Sequence, residues 1–146
     1  MSNTGTTRPK MSRSVYEQLP IERRYPFPNP DGTATIDRRG DGDEYFAVDV
    51  ELVDGPLFPT GQVVVTTALL SELEGAAIEE SMLGELLRRH LGGDWGELPA
   101  EDCLSNDEAL VFGNRLLSQY RLGEVRIWVI TECDRSVTTL LRPDDY

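Results

Sequence analysis

Residues 125–141 read VRIWVITECDRSVTTLL, and the way this stretch pairs decides the fold. Val125, Ile127, Val129 and Thr131 alternate with Arg126, Trp128 and Ile130, the period-two pattern of a strand with one face toward a core. Val137, Thr139 and Leu141 alternate with Thr138 and Leu140 in the same way. Glu132 to Arg135 is a loop of hairpin length, so the two runs form a terminal β-hairpin, and Pro143 stops its second strand. Thr131, Glu132, Asp134, Arg135, Ser136, Thr138 and Thr139 are concentrated within nine positions. An acidic loop beside an arginine can orient a ligand or clamp a basic group. Equally, Asp134 and Ser136 can satisfy turn amides, with the threonines acting as strand formers.

Upstream, SNDEALVFGNRLLSQYRLG (residues 105–123) has Ser105 and Glu108 at capping-box spacing, which predicts a helix starting there. On a helical wheel Ala109, Gly113, Leu116 and Tyr120 fall on one stripe, so Gly113 is expected to admit a close backbone. Arg115 and Gln119 project from the far side, and Asn106 borders the buried one.

AIEESMLGELLRRHLGG (77–93) reads as an amphipathic helix. Ile78, Met82, Leu83, Leu86, Leu87 and His90 share one face, with acids at its start and arginines at its end. EYFAVDVELV (44–53) alternates as a half-buried strand, and QVVVTT (62–67) reads as a second, more buried one. Thr66 or Thr67 can cap a short helix over ALLSELEG (68–75). The expected fold class is α+β, a small, mainly antiparallel sheet with helices on one face.

Residues 1–43 contain few aliphatics and carry Pro9, Pro20, Pro26, Pro28 and Pro30. Such a composition is expected to form a flexible Pro/Gly-rich tail that docks through Tyr25 and Phe27, leaving 44–146 as a single α+β domain. The 146 residues suffice for one core.

The chain has 14 Lys plus Arg against 26 Asp plus Glu, a formal net charge of −12. That balance disfavours nucleic-acid phosphate and anionic membranes as partners and favours a protein with a basic surface. Lys10 is the only lysine, which argues against P-loop, Schiff-base and lysine-assisted nuclease chemistry. No run approaches the length of a membrane span and the N-terminus lacks a signal-peptide core. A cytoplasmic location follows as the expectation, with Cys103 and Cys133 as reduced thiols.

His90 is the only histidine, and Asp94 follows four residues later across a Gly-Gly turn. A histidine oriented by an acid can serve as a general base, with Arg135 or Arg115 holding an anion. That is the enzymatic alternative, a small hydrolase or nucleic-acid-processing protein. Against it, His90 lies on an apolar helix face, where packing accounts for it. His90, Asp94, Cys103 and Cys133 lack the close CxxC or HxxxH pairs of a metal site, so no metal or other cofactor is expected.

His90, Gly93, Asp94, Trp95 and Gly96, then Asn106, Asp107, Ala109, Gly113, Arg115, Ser118 and Tyr120, then Trp128, Thr131, Glu132, Asp134, Arg135, Ser136, Thr138, Thr139, Pro143 and Tyr146 form a further pattern. It resembles a family of small bacterial plasmid-related proteins of unknown function over residues 84–146, departing mildly at Val129. The resemblance implies a mobile genetic element meeting host defences and gives no activity. It also implies a partner-binding role for Glu132, Asp134, Arg135, Ser136 and Thr138, with Arg115 beside them. The resulting expectation is a non-catalytic acidic interaction protein that inhibits or modulates a nucleic-acid-binding defence system, of anti-restriction or anti-CRISPR type.

Overall fold

The hairpin read from residues 125–141 is the centre of a four-stranded sheet in the computed structural model, which describes residues 8–25, 27–39 and 45–146. Strands β6 (Val125–Thr131) and β7 (Val137–Leu141) pair antiparallel, with Thr131 opposite Thr138 and Val129 opposite Leu140. β5 (Leu116–Leu122) adds antiparallel to β6, and β4 (Gln62–Val65) adds parallel to β7, giving the order β4-β7-β6-β5. The fold is α+β, as the alternation required.

One face of this sheet presents Tyr120, Val125, Ile127, Val129 and Leu140 to the helices. Helix α2 (Thr67–Gly75) and helix α3 (Met82–Leu91) cover it with Leu69, Leu73, Leu83 and Leu86. Thr66 caps α2, its hydroxyl accepting from the Leu69 amide at 3.2 Å. α3 begins later than its apolar pattern does, because Ala77 turns left-handed at φ 58° and ends the preceding helical run. Contrary to the sequence reading, β4 is an edge strand whose Val63 and Val64 are 44 % and 38 % exposed.

The helix expected from Ser105 is displaced. Helix α4 runs Ala100–Phe112, behind Pro99 and with Glu101 and Asp102 in its first turn, so Ser105 lies inside it and bonds back to the Glu101 carbonyl at 3.2 Å. Gly113 adopts φ 74° as the left-handed residue that ends the helix, with open space around it instead of a neighbouring backbone. Leu116 and Tyr120 do share a buried face, but on β5. Gly123, at φ 61°, turns the chain into β6.

The largest correction concerns residues 8–39, which are part of the core and not a tail. β1 (Lys10–Ser12) pairs parallel with β3 (Tyr45–Val53), and β2 (Thr33–Arg39) pairs antiparallel with β3 on its other side. Helix α1 (Arg13–Gln18) packs on this second sheet through Val15 and Tyr16, against Met11, Ala34, Ile36 and Val50. Tyr25 and Phe27 do not dock; Phe27 is 79 % exposed. Attachment runs instead through backbone and charge. The Tyr25 amide donates to Thr35 and the Ser12 amide to Gly92, and the fully buried Arg38 donates to the Gly93 carbonyl at 3.0 Å and to Asp107 at 2.6 Å. The expectation for residues 1–7, 26 and 40–43 falls outside the described residues.

Removing one partner of a buried ion pair strands the other charge, at a cost of about 3–5 kcal/mol. Arg38→Ala should therefore lower the unfolding free energy by about that amount in urea denaturation. Arg38→Met with Asp107→Leu, which removes both charges, should be clearly less destabilising than the single substitution.

Candidate functional site

The segment from His90 to Glu97, which contains the candidate pair His90 and Asp94, is tied to the rest of the chain at almost every residue. The Gly92 carbonyl accepts from the Ser12 amide at 2.9 Å and the Gly93 carbonyl from Arg38. The Asp94 carboxylate receives Arg89 at 2.8 Å and Arg23 at 3.3 Å, and its carbonyl receives the Tyr120 hydroxyl at 2.5 Å. Trp95, fully buried, donates its indole N–H to Asp107 at 2.9 Å. Gly96 lies so close to β5 that a Cβ would collide with the Gln119 carbonyl, and the Glu97 amide donates to that carbonyl at 2.6 Å.

This segment and α4 together cover the free edge of β5. Gln119 exchanges backbone bonds with Trp95 and Glu97, and the Asn106 side chain donates to the Leu117 carbonyl at 2.5 Å while accepting from the Leu117 amide at 3.2 Å. An amide side chain thus stands in for the strand that would otherwise pair there.

His90 and Asp94 do not form the expected acid–base pair. His90 is completely buried, with Nδ1 2.6 Å from the Ser118 hydroxyl and Nε2 2.9 Å from Thr131 Oγ1. Thr131 is bonded in turn to Thr138 at 2.7 Å, and the Thr138 hydroxyl donates to the Thr60 carbonyl at 2.8 Å. Phe58 and Trp95 close the ring in edge to face. Burial, together with the nearby Arg135 guanidinium, pushes the His90 pKa down to about 3. The imidazole is neutral and hydrogen-bonded inside the core.

The buried carboxylates divide. Burial pushes Asp94 up, but Arg89 and Arg23 with the Gly96 amide outweigh it and hold the group below its ordinary value. At Asp107 burial wins over Arg38 and the Trp95 N–H, so the carboxyl is raised. Burial likewise pushes the Cys103 thiol up to about 11, away from nucleophilic use. Cys103 and Cys133 are both free.

The hairpin tip satisfies its own turn. Asp134 Oδ1 accepts the Ser136 amide at 3.0 Å, and Arg135 sits left-handed at φ 61°. Its guanidinium donates to the carbonyls of Asn114 at 2.7 Å, Glu132 at 3.0 Å and Ala109 at 3.4 Å, capping the end of α4. It also lies over the Phe58 ring, 5.6 Å from the centroid. Thr138 is fully buried and not open to a partner. Arg115 follows Asn114, whose carbonyl Arg135 bonds, and its guanidinium stacks on the Tyr146 ring, 5.0 Å from the centroid. Of the expected partner-binding set, Arg115, Asp134 and Ser136 are exposed and Glu132 and Arg135 are half-buried.

An acidic groove not singled out in the sequence lies between α2 and the turn before α3. It encloses about 460 Å³, with Leu70, Leu73 and Ile78 as apolar lining and Glu74 and Glu80 beside them. The early stop at Ala77, which opens this groove, leaves no mark in the apolar pattern. Among the described residues no three His, Cys, Asp or Glu side chains gather as a metal site, and no helix is long and apolar enough to cross a membrane. Comparison with family models, curated proteins and solved structures finds no match to this chain.

Two outcomes follow from this geometry. His90 has a folded pKa depressed from 6.5 to about 3, so the unfolded chain binds the extra proton. The stabilisation is complete above about pH 6.5 and is lost as the pH falls toward 3. Urea titrations should show His90 lowering stability by about 2 kcal/mol at pH 5 relative to pH 7.5. Because Asp107 is shifted in the opposite sense, the comparison is made against His90→Gln, in which this pH-dependent component should vanish. Arg135→Ala should reduce stability by about 1–3 kcal/mol, since it uncaps α4 and leaves carbonyls unpaired.

Proposed function

We propose that this chain is a non-catalytic, acidic interaction protein that binds the basic surface of a nucleic-acid-binding protein and so inhibits or modulates it. The setting, a mobile genetic element meeting a host defence, rests on the resemblance over residues 84–146. The reading itself is supported by the formal net charge of −12 and by the acids exposed at one groove. Arg23, Arg38, Arg89 and Arg135 are engaged in internal pairs and carbonyl bonds, whereas Glu74 and Glu80 stand exposed at the groove beside α2.

A folded surface of this sign competes for sites shaped to receive phosphate. The apolar groove lining offers contact area to the stem of an arginine or lysine, and the two glutamates meet its charged head. The exposed hairpin tip is the second contact surface in this reading. Its acids Glu132 and Asp134 can meet basic groups, while Arg135 holds the loop against α4.

The test is displacement of DNA or RNA from restriction and CRISPR effector complexes by the purified protein. Inhibition should weaken steeply with added salt, and Glu74→Lys with Glu80→Lys should weaken it at least tenfold, while a melting curve shows the fold retained. If no effector is bound at low salt, or if the charge reversal leaves inhibition unchanged, the proposal fails.

A further inference from the structure

We propose that β4 (Gln62–Val65) is a self-pairing edge, through which two copies of this chain join antiparallel and merge their four-stranded sheets into one of eight strands. The backbone geometry leaves it unfinished. The Gln62 amide donates to Ser136 at 3.0 Å and the Thr66 amide to Leu140 at 3.1 Å, which fixes the even-numbered positions as those facing β7. The N–H and C=O groups of Val63 and Val65 therefore point away from the sheet. No other strand of the described residues pairs with them.

The two ends of the sheet are treated differently. At β5 the edge is covered by Trp95, Glu97 and the Asn106 amide. At β4 the only usual protection is the strand's shortness, four residues; the lysine, proline, inward charge or bulge that otherwise blunts an edge is missing. Here no residue from Gly55 to Ser71 is charged, and Gln62 to Thr67 contains no proline. Val63 and Val64 stand exposed on opposite faces of the strand.

A second copy fits this edge better than an unrelated basic partner does. With a formal charge of −12 on each chain, two copies repel over most of their surface but not along an uncharged strip. A basic protein finds no acidic side chain along this strip to pair with, and the surface that complements it is elsewhere, on the acidic faces. The nearest charges at the C-terminal end of the strand are already paired, Arg142 with Asp145 at 2.8 Å and with Glu72 at 3.3 Å.

The strand is also self-complementary. A two-fold axis at Val64 sets Val63 opposite Val65 of the second copy and lets all four free backbone groups bond. It also places the two Val64 side chains in the close, non-hydrogen-bonded position. This inference is independent of the proposed function.

Analytical ultracentrifugation of the full chain over a concentration series tests it. The mass should rise from 16.3 kDa toward twice that value. Val63→Pro removes only an outward N–H and should keep the chain monomeric with its circular dichroism unchanged. Val64→Lys and Val64→Asp should each be monomeric alone and form a dimer when mixed, since opposite charges then face each other across the axis. A wild-type chain that stays monomeric throughout, a dimer indifferent to the Val64 substitutions, or a Lys/Asp mixture that does not associate would each overturn the proposal.

Discussion

A fully buried guanidinium is the constraint on which the rest of this structure depends. Arg38 has no access to water, and an arginine in that position costs several kcal/mol unless its hydrogen-bond donors are met. Two are met, by the Gly93 carbonyl and by Asp107. Asp107 is in turn fixed by the indole of Trp95. One side chain from β2 thus binds the turn after α3 and the middle of α4 at once. The Arg38 Nε and Asp107 Oδ2 remain without partners, so the cluster has little to spare, and the loss of any one member exposes the desolvation cost of the others. Arg23 and Arg89 pair with Asp94, the residue after Gly93.

From that constraint comes the division of labour among the polar residues. His90, Asp94, Asp107, Asn106, Arg135 and Thr138 look like chemistry in a linear sequence. In the fold they satisfy one another, cover a strand edge or close a helix. A resemblance pattern rich in such residues is therefore compatible with selection for folding as readily as for a binding loop. The groove beside α2, the acidic hairpin tip and the edge of β4 are the surfaces on which the two proposals rest.

Legibility in the sequence followed burial. The hairpin, β3 and the capped helix α2 were readable because inward positions are apolar and outward ones polar, so pattern and environment agree. β2 was not: its inward positions are Ala34, Ile36 and Arg38, and a buried arginine reads as a solvated one when its partners lie about seventy residues away. β5 reads as helix in the sequence because Leu116 and Tyr120 are four apart, a spacing that keeps one face in both a helix and a strand. The helical pattern points to Gly113 as the close-approach glycine, whereas Gly61 and Gly96 fill that role against the carbonyls of Ser136 and Gln119. At the candidate site the residue types were visible but their partners were not. Whether His90 meets Asp94 or Ser118 depends on which strand lies beneath α3.

Native-state hydrogen exchange tests most directly whether the N-terminal segment belongs to one cooperative core with the sheet of the hairpin. The amides of Ala34 and Ile36 in β2 should exchange with the same opening free energy as those of Ile127 and Val129 in β6, close to that of global unfolding. Rapid, independent exchange in β1, α1 and β2, with β6 still protected, would contradict the account and return residues 8–39 to the status of an appendage.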